Sequence, residues 1–211
     1  MLKLYYGAGA CSLASHITLE ETGAPYETYS VNMGKGEHKS PDYLKINPRG
    51  KVPALQIDDQ FLIENVAIQD YLVKRFPDAN LAPKDALGEA RWISVNAWMS
   101  NTVHIAFGRW NRPGNLTQEE SAHPAIREAG RKAFWDCLTE LDGMLAGKPW
   151  MHGAQYTTSD PYALVFYGWG LRIPELNLKE LRNYTAHKDR MLQRPAVRKV
   201  LEREQSPLLK T

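Results

Sequence analysis

The chain has 211 residues, enough to bury one sizeable hydrophobic core or two modest ones. Hydrophobic residues make up 43% and charged residues 24% of it, close to the averages of globular proteins, which excludes a disordered or fibrous chain. The 26 basic residues exceed the 24 acidic ones by a net charge of +2 and are scattered along the sequence, which argues against a nucleic-acid partner.

Strand and helix patterns alternate over the first part of the chain. Leu2 to Tyr6 predicts a buried strand, and Ser12 to Gly23 predicts a helix. Tyr26 to Asn32 is rich in β-forming residues, and Ser40 to Asn47 has the cap and early proline of a short helix. Met1 to Gly9 lacks the basic start and apolar middle of a signal peptide, so we expect a cytoplasmic location.

A hairpin and an amphipathic helix follow. The apolar stretches Val52 to Ile57 and Phe61 to Ile63 are separated by three polar residues, which predicts two strands joined by a turn. Asn65 to Phe76 carries an apolar stripe at helical spacing, with Asn65 as the expected cap and Pro77 as the stop.

The remainder of the chain has helical periodicity. An apolar stripe predicts one long helix over Trp92 to Trp110, and a second begins near the capping-box pattern Thr117-x-x-Glu120. Three shorter helices follow, the first opened by Thr157-x-x-Asp160. Its apolar run, Tyr162 to Leu171, is shorter than the roughly 17 to 25 residues of a membrane-spanning helix, so no membrane partner is expected.

Residues 77–86 separate the two kinds of pattern. They contain two prolines and no periodicity, which is typical of a linker. We therefore predict an α/β domain over residues 1–79 and an all-helical domain over residues 87–211.

Cys11 lies where the first predicted helix begins, and unpaired N–H groups at such a position favour a thiolate. Ionisation at pH 7 requires the thiol pKa to fall by about 2 units, or roughly 2.7 kcal/mol. An exposed helix end supplies only about 0.3 to 1 kcal/mol, so a direct hydrogen bond from the Ser12 hydroxyl or a nearby N–H is also needed. Alternatively, Cys11 is a small apolar residue that packs a turn. Cys137 is distant and no paired-ligand spacing occurs, so neither a metal site nor a disulfide framework is expected.

Two further segments have the pattern of a peptide-binding site. Pro53 stands at a strand entrance, where a cis bond leaves the backbone of Val52 free to pair with an extended ligand. Glu64 and Asn65 open the next helix, whose N–H groups suit a ligand carboxylate, while the Glu64 side chain suits an ammonium. Taken singly, these features are equally consistent with a simple turn, a cap and a favourable first-turn anion.

Taken together, the motifs resemble those of cytosolic glutathione transferases, especially the bacterial beta class. The stretches that carry the resemblance are Leu4 to Tyr6, Gly9 to Ile17, Asn47 to Leu55, Glu64 to Ile68, Thr157-x-x-Asp160 and Arg194 to Val197. The resemblance covers the whole chain and implies a thioredoxin-like N-terminal domain and an all-α C-terminal domain. It also implies glutathione as co-substrate, no metal, and a homodimer.

The resemblance assigns roles to individual residues. Cys11, assisted by Ser12 and by His104, is implied to face the glutathione sulfur, and Lys39 rivals Lys35 for the glycyl carboxylate. The residues implied to bind glutathione are Cys11, Lys35, Lys51, Val52, Pro53, Glu64, Asn65 and His104. The side chains implied to hold the second substrate are Phe107, Trp110 and Trp169. Helical spacing alone is equally typical of core positions for the aromatic residues and for His104.

These features predict a glutathione transferase that directs the glutathione thiolate at a small apolar electrophile, as in detoxification. Two roles for Cys11 stay open, namely a hydrogen bond to the glutathione sulfur and a transient disulfide with it. The second would give thiol-transfer or peroxidase activity, although Ile105 stands where the beta class usually has a lysine that supports the thiolate. The alternatives are a non-catalytic binder of apolar ligands, an interaction module with a residual glutathione site, and an isomerase or dehalogenase of the same superfamily.

Overall fold

A computed structural model describes all residues, 1–211. The N-terminal part contains four strands and three helices: β1 (Leu2–Tyr6), α1 (Leu13–Glu21), β2 (Glu27–Ser30), α2 (Pro41–Ile46), β3 (Ala54–Ile57), β4 (Gln60–Ile63) and α3 (Asn65–Arg75). The sheet order is β2-β1-β3-β4, with β1 and β2 parallel and the other neighbours antiparallel. This is the predicted thioredoxin-like arrangement.

Both faces of the sheet are covered because side chains alternate along each strand. Leu4 of β1 and Leu55 of β3 pack on one face against α1 and α3, where Leu72 is fully buried. On the other face Tyr5 packs with Tyr43 of α2. The helices thus hold the strand ends, and the loops after them, in fixed positions.

The C-terminal part is all helical, as predicted. Its helices are α4 (Ala86–Trp98), α5 (His104–Asn111), α6 (His123–Met144), α7 (Ser159–Gly170), α8 (Arg182–Gln193) and α9 (Pro195–Arg203). Helix α7 is the centre of this part, with nearly every side chain buried. None of the helices combines the length and apolar character needed to cross a bilayer.

The long helix expected over Trp92 to Trp110 is interrupted. A π-helical turn, Met99–Val103, joins α4 to α5 directly before His104. An apolar stripe of period 3.6 does not reveal such a turn, because the wider π-helical turn changes the direction of the following side chains without ending the helix.

Of the two expected capping boxes, one is present in part. Asp160 Oδ2 accepts from the Thr157 N–H at 2.7 Å, which is the return bond of such a box, while the Thr157 hydroxyl accepts from the Ser159 N–H in place of that of Asp160. The expected box at Thr117 is wrong, because the Thr117 hydroxyl accepts from the N–H of Glu119 within a turn that precedes α6.

Candidate active site

The turn between β1 and α1 places Cys11 beside the loop that enters β3. Its Sγ lies 3.5 Å from the carbonyl oxygen of Val52, to which the thiol donates. The Val52–Pro53 peptide is cis, as predicted. The backbone N–H groups of Cys11, Ser12 and Val52 donate to no backbone carbonyl. Three backbone N–H groups without a backbone acceptor therefore lie in the two segments that meet at the partly buried thiol.

The expected thiolate is not found at Cys11. Burial raises the pKa of the thiol to about 11, and the Asn65 amide, the backbone N–H of Cys11 and the charge of Lys51 offset this only in part. Helix α1 begins at Leu13, after Cys11, so the sulfur lies outside its first turn. Cys11 therefore keeps its proton at neutral pH.

The Ser12 hydroxyl is hydrogen-bonded to the backbone of Gly7 and not to the Cys11 sulfur. Its side chain is fully buried, and its Oγ accepts from the Gly7 N–H at 3.0 Å and donates to the Gly7 carbonyl at 3.2 Å. The expectation that this hydroxyl donates to the Cys11 sulfur is wrong, because both of these bonds hold it in the turn after β1.

Glu64 and Asn65 occupy the entrance to α3, where the expected side-chain cap is wrong. Glu64 has φ 73°, a conformation uncommon outside glycine, and its exposed carboxylate pairs with Arg49. Asn65 is not a side-chain cap. Its buried side chain accepts from the Ser15 hydroxyl at 2.6 Å and donates to the Cys11 carbonyl at 3.0 Å. The Asn65 side chain thus fixes the turn at Cys11. The backbone N–H of Asn65 belongs to the first turn of α3.

His104 and the predicted aromatic residues form a wall on the helical side, in which Phe107 and Trp169 are themselves buried in the core. Phe107 stacks on Trp169 with ring centres 4.4 Å apart, and His104 meets the same indole edge-on at 4.9 Å. Trp110 lies beside Phe107 at 5.5 Å. The indole N–H of Trp169 donates to the Gly9 carbonyl at 3.0 Å, which connects this aromatic wall to the loop that precedes Cys11.

His104 is neutral at pH 7. Its burial, followed by the charges of Lys51 and Arg112, lowers the pKa of the imidazole to about 4. The charge of Lys51 lowers the pKa of both Cys11 and His104.

The two candidate lysines in the preceding loop differ in position. Lys35 is exposed, and only its backbone N–H is bonded, to the Asn32 side chain. The Lys39 ammonium lies over Gly50, 2.9 Å from where a Cβ there would stand. Lys39 is therefore directly beside the segment that leads to Val52.

Tyr162 is a further group beside Cys11 that no sequence pattern indicates. Burial raises the pKa of its phenol, and Cys11, Ser100 and Asn65 all act on that group. A tyrosine inside an apolar helical run gives no signal of this, because its neighbours come from other segments. No group of three or more His, Cys, Asp or Glu side chains is arranged to hold a metal ion.

Comparison with known proteins gives consistent results. Residues 1–74 match the family model of the glutathione S-transferase N-terminal domain. Glutathione S-transferase GstA of Escherichia coli O157:H7 is 35% identical over 96% of this chain and 98% of its own length.

Two solved structures are similar over nearly the whole chain. A glutathione transferase homolog from Sulfitobacter with bound glutathione superposes with a TM-score of 0.91 at 28% identity, covering 96% of this chain and 98% of its own. The bacterial beta class enzyme of Sphingomonas chungbukensis has a TM-score of 0.84 at 35% identity, with the same coverage of each chain. The fold, the family model and the full-length relatives thus agree, and the chain belongs to the glutathione S-transferase family.

Proposed function

We propose that this transferase binds glutathione extended along Val52, with its sulfur beside Cys11, and delivers the thiolate to an electrophile held by the aromatic wall. The observation that carries the proposal is the Cys11 thiol bonded to the Val52 carbonyl, next to the unpaired Val52 N–H. An extended peptide that pairs with the N–H and the carbonyl of Val52 replaces the Cys11 thiol at that carbonyl. The thiol then donates its hydrogen bond to the ligand instead. The Sulfitobacter homolog was solved with glutathione, which supports the ligand.

Protonated Cys11 suits conjugation. A thiol whose pKa is raised to about 11 donates a hydrogen bond at neutral pH, and such a bond favours the ionised form of the glutathione sulfur. The Cys11 and Ser12 N–H groups add two donors. The glutathione thiol loses its proton to solvent, its sulfur forms a bond to the electrophilic carbon, and the leaving group departs with the former bonding pair. Proximity and orientation supply the rest of the acceleration.

The ends of glutathione match the remaining groups. Glu64 receives the γ-glutamyl ammonium, with Arg49 moving aside or sharing the carboxylate. The N–H groups in the first turn of α3, beginning at Asn65, receive the adjacent carboxylate. For the glycyl carboxylate we favour Lys39 over Lys35, because Lys39 lies over Gly50.

Thiol transfer and peroxidase activity are expected to be weak. Both require a Cys11 thiolate, since the thiolate is the nucleophile in disulfide exchange. No observation favours the non-catalytic alternative, and the full-length relatives are named transferases.

The domain limits, 1–79 and 87–211, and the homodimer are also proposals. Large apolar side chains are exposed on β4 and α4, namely Phe61, Leu87 and Ile93, which supports an interface there. The cytoplasmic location and the role in detoxification stay predictions.

Replacement of Cys11 tests the proposal. We expect Cys11→Ser to keep conjugation of an aromatic halide within about tenfold of wild type, because a hydroxyl also donates, and Cys11→Ala to lose more. Cys137→Ala, at the other cysteine, is the matched control and should behave as wild type. Intact-protein mass spectrometry after turnover should show no glutathione adduct on Cys11. Loss of conjugation in Cys11→Ser together with a wild-type adduct would contradict the hydrogen-bonding role.

A further inference from the structure

A cleft between the loop that follows α6 and the first part of α8 is lined by cations and by no acid. It has a volume of about 340 Å³ and is called the α8 cleft below. The residues that line it are Leu145, Gly147, Lys148, Pro149, Arg182, Asn183, Ala186 and Arg190. None of them is among the residues described around Cys11, so the α8 cleft is a concave site separate from the candidate active site.

The three cations of the α8 cleft have no counter-charge. Lys148, Arg182 and Arg190 form no salt bridge, whereas Lys188 on the same helix pairs with Asp189 at 2.6 Å. Lys148 and Arg182 are exposed and Arg190 is half-buried. Like charges that face one space repel each other, and an anion bound among them removes that repulsion.

The acid that adjoins the α8 cleft is already bound. Asp142 of α6 accepts from the Tyr184 N–H at 2.8 Å and from the Asn183 amide at 3.0 Å, one bond to each carboxylate oxygen. The backbone N–H groups of Arg182 and Asn183, at the start of α8, donate to no backbone carbonyl. The positive end of a 12-residue helix therefore adds to the charge of the side chains there.

Arg190 is held in place within the α8 cleft. Its Nε donates to the Pro149 carbonyl at 3.0 Å, and its guanidinium carbon lies 5.9 Å from the centre of the Trp150 ring. The hydrogen bond uses one of the five N–H donors of a guanidinium group. The others stay available to a ligand, and a side chain that is already ordered loses less entropy on binding.

A second cleft of similar size has its cations bound within the protein. It has a volume of about 330 Å³ and includes Lys199 and Arg203 among its lining residues. Glu20 also lines it and pairs with Lys199 at 2.6 Å, and Arg203 donates to the Tyr26 hydroxyl at 3.0 Å. A concave basic surface can thus be neutralised internally in this fold, and the α8 cleft is not.

We propose that the α8 cleft binds a small phosphate-bearing anion of the size and charge of a diphosphate or a phosphate monoester. Guanidinium groups bind phosphate oxygens through paired hydrogen bonds, and a phosphoryl group brings nearly two negative charges at pH 7. The volume of the cleft lies near the lower end of small-molecule sites, which suits such a compound. The inference goes beyond the proposed function and does not depend on it, because the two sites share no residue.

Isothermal titration calorimetry of the full chain with inorganic pyrophosphate tests the proposal. We expect one site per chain, with tighter binding of pyrophosphate than of sulfate and no detectable binding of acetate, because the attraction increases with the charge of the ligand. Raising the salt concentration from about 50 to 500 mM should weaken the binding, since screening acts on exposed charges.

Variants of the lining residues locate the site. Arg182→Gln and Lys148→Gln should each raise the dissociation constant of pyrophosphate about tenfold, because each removes a charge-assisted contact. Neither side chain has a partner within the protein, so both variants should fold as wild type. Arg198→Gln is the matched control, since it removes the same charge from an exposed side chain of α9 that pairs with Glu202. It should bind pyrophosphate as wild type does.

Flotation with vesicles distinguishes the two sources of such a phosphate. Binding to phosphatidylcholine vesicles that contain phosphatidic acid, with displacement by pyrophosphate, would assign the phosphate to a lipid headgroup. Pyrophosphate binding without vesicle binding would assign it to a soluble compound.

The outcomes separate this inference from the proposed function. The anion site is overturned if wild type gives no heat with pyrophosphate at millimolar concentration, or if Arg182→Gln and Lys148→Gln bind it as wild type does. An equal loss of affinity in Arg198→Gln would also overturn it, because overall charge would then explain the binding. Glutathione conjugation should be unchanged in all three variants. Absence of conjugation in wild type, with pyrophosphate binding intact, would overturn the proposed function alone.

Discussion

The buried carboxylate of Asp160 and the thiol of Cys11 lie in very different hydrogen-bond environments. Asp160 Oδ1 accepts from the Met151 N–H at 2.8 Å and lies 3.0 Å from His187 Nε2, while Oδ2 accepts from the Thr157 N–H. The Cys11 thiol donates one long hydrogen bond, to the Val52 carbonyl, and the backbone N–H groups of Cys11, Ser12 and Val52 donate to no backbone carbonyl. Buried polar groups are normally fully paired. The fully paired Asp160 carboxylate therefore stabilises the fold, whereas the N–H groups at the Cys11 turn that lack a backbone partner are free to bind a ligand.

The largest effect on stability is expected from replacing Asp160. Asp160→Ala should lower the free energy of unfolding by about 3 to 5 kcal/mol, since it removes one partner of a buried network and leaves the others unpaired. Urea denaturation measures the change. Asp136→Ala, which removes an exposed pair with Lys132, is the control and should leave the midpoint nearly unchanged. Equal midpoints for the two variants would contradict the structural role of Asp160.

The rate of alkylation reports how much of the Cys11 thiol is ionised. A thiol with pKa near 11 has about 100-fold less thiolate at pH 7 than one at the ordinary 9.0, so iodoacetamide should react correspondingly slowly. The rate should then rise about tenfold per pH unit up to pH 11. Peptide mass spectrometry follows the modification of Cys11, with free glutathione as the reference thiol. A Cys11 rate at pH 7 above the reference would indicate a thiolate and revive the disulfide mechanism.

Replacement of Glu64 tests whether the residues near Cys11 bind the ligand without stabilising the fold. Glu64→Gln should raise the KM for glutathione about 10- to 100-fold, because a charge-assisted hydrogen bond to the ammonium is lost. Its midpoint of unfolding should stay that of wild type, since the carboxylate is exposed. Asp59→Asn, in the neighbouring β3–β4 turn, should change neither quantity. A destabilised Glu64→Gln with unchanged KM would reverse the assignment.

The smallest effect is expected at His104. Its folded pKa, about 4, lies below the ordinary 6.5, so its contribution to stability is present above pH 6.5 and is lost as the pH falls towards 4. His104→Gln should therefore reduce the difference between unfolding midpoints measured at pH 7.5 and pH 4.5. His123→Gln, at the start of α6, should keep the wild-type difference. If both variants behave as wild type, His104 is more hydrated than the structure indicates.

Several parts of the fold followed directly from local patterns. The apolar run in Leu2–Tyr6, the proline of Pro41–Ile46 and the Thr157-x-x-Asp160 pattern each predicted the element that is present. The resemblance also placed Cys11, Val52 and Glu64 in one region of the molecule. Local patterns succeed there because strand alternation and helix caps depend on residues a few positions apart.

The partners of the polar groups were not predictable in the same way. Asn65 bonds to a carbonyl 54 residues away, and the Trp169 indole bonds to one 160 residues away. The Ser12 hydroxyl, although local, was predicted to face the sulfur but is held by Gly7. No periodicity specifies which of several acceptors a side chain meets once the domains pack.

By itself, the sequence determined the element order, the two kinds of domain and the family, since these depend on hydrophobic spacing and on short motifs. Only the tertiary structure decided that burial raises the pKa of the Cys11 thiol, that Arg49 pairs with Glu64, and that the Arg172 guanidinium lies over the Phe107 ring. The physical reason is that burial and charge at one atom are summed over every segment that packs around it.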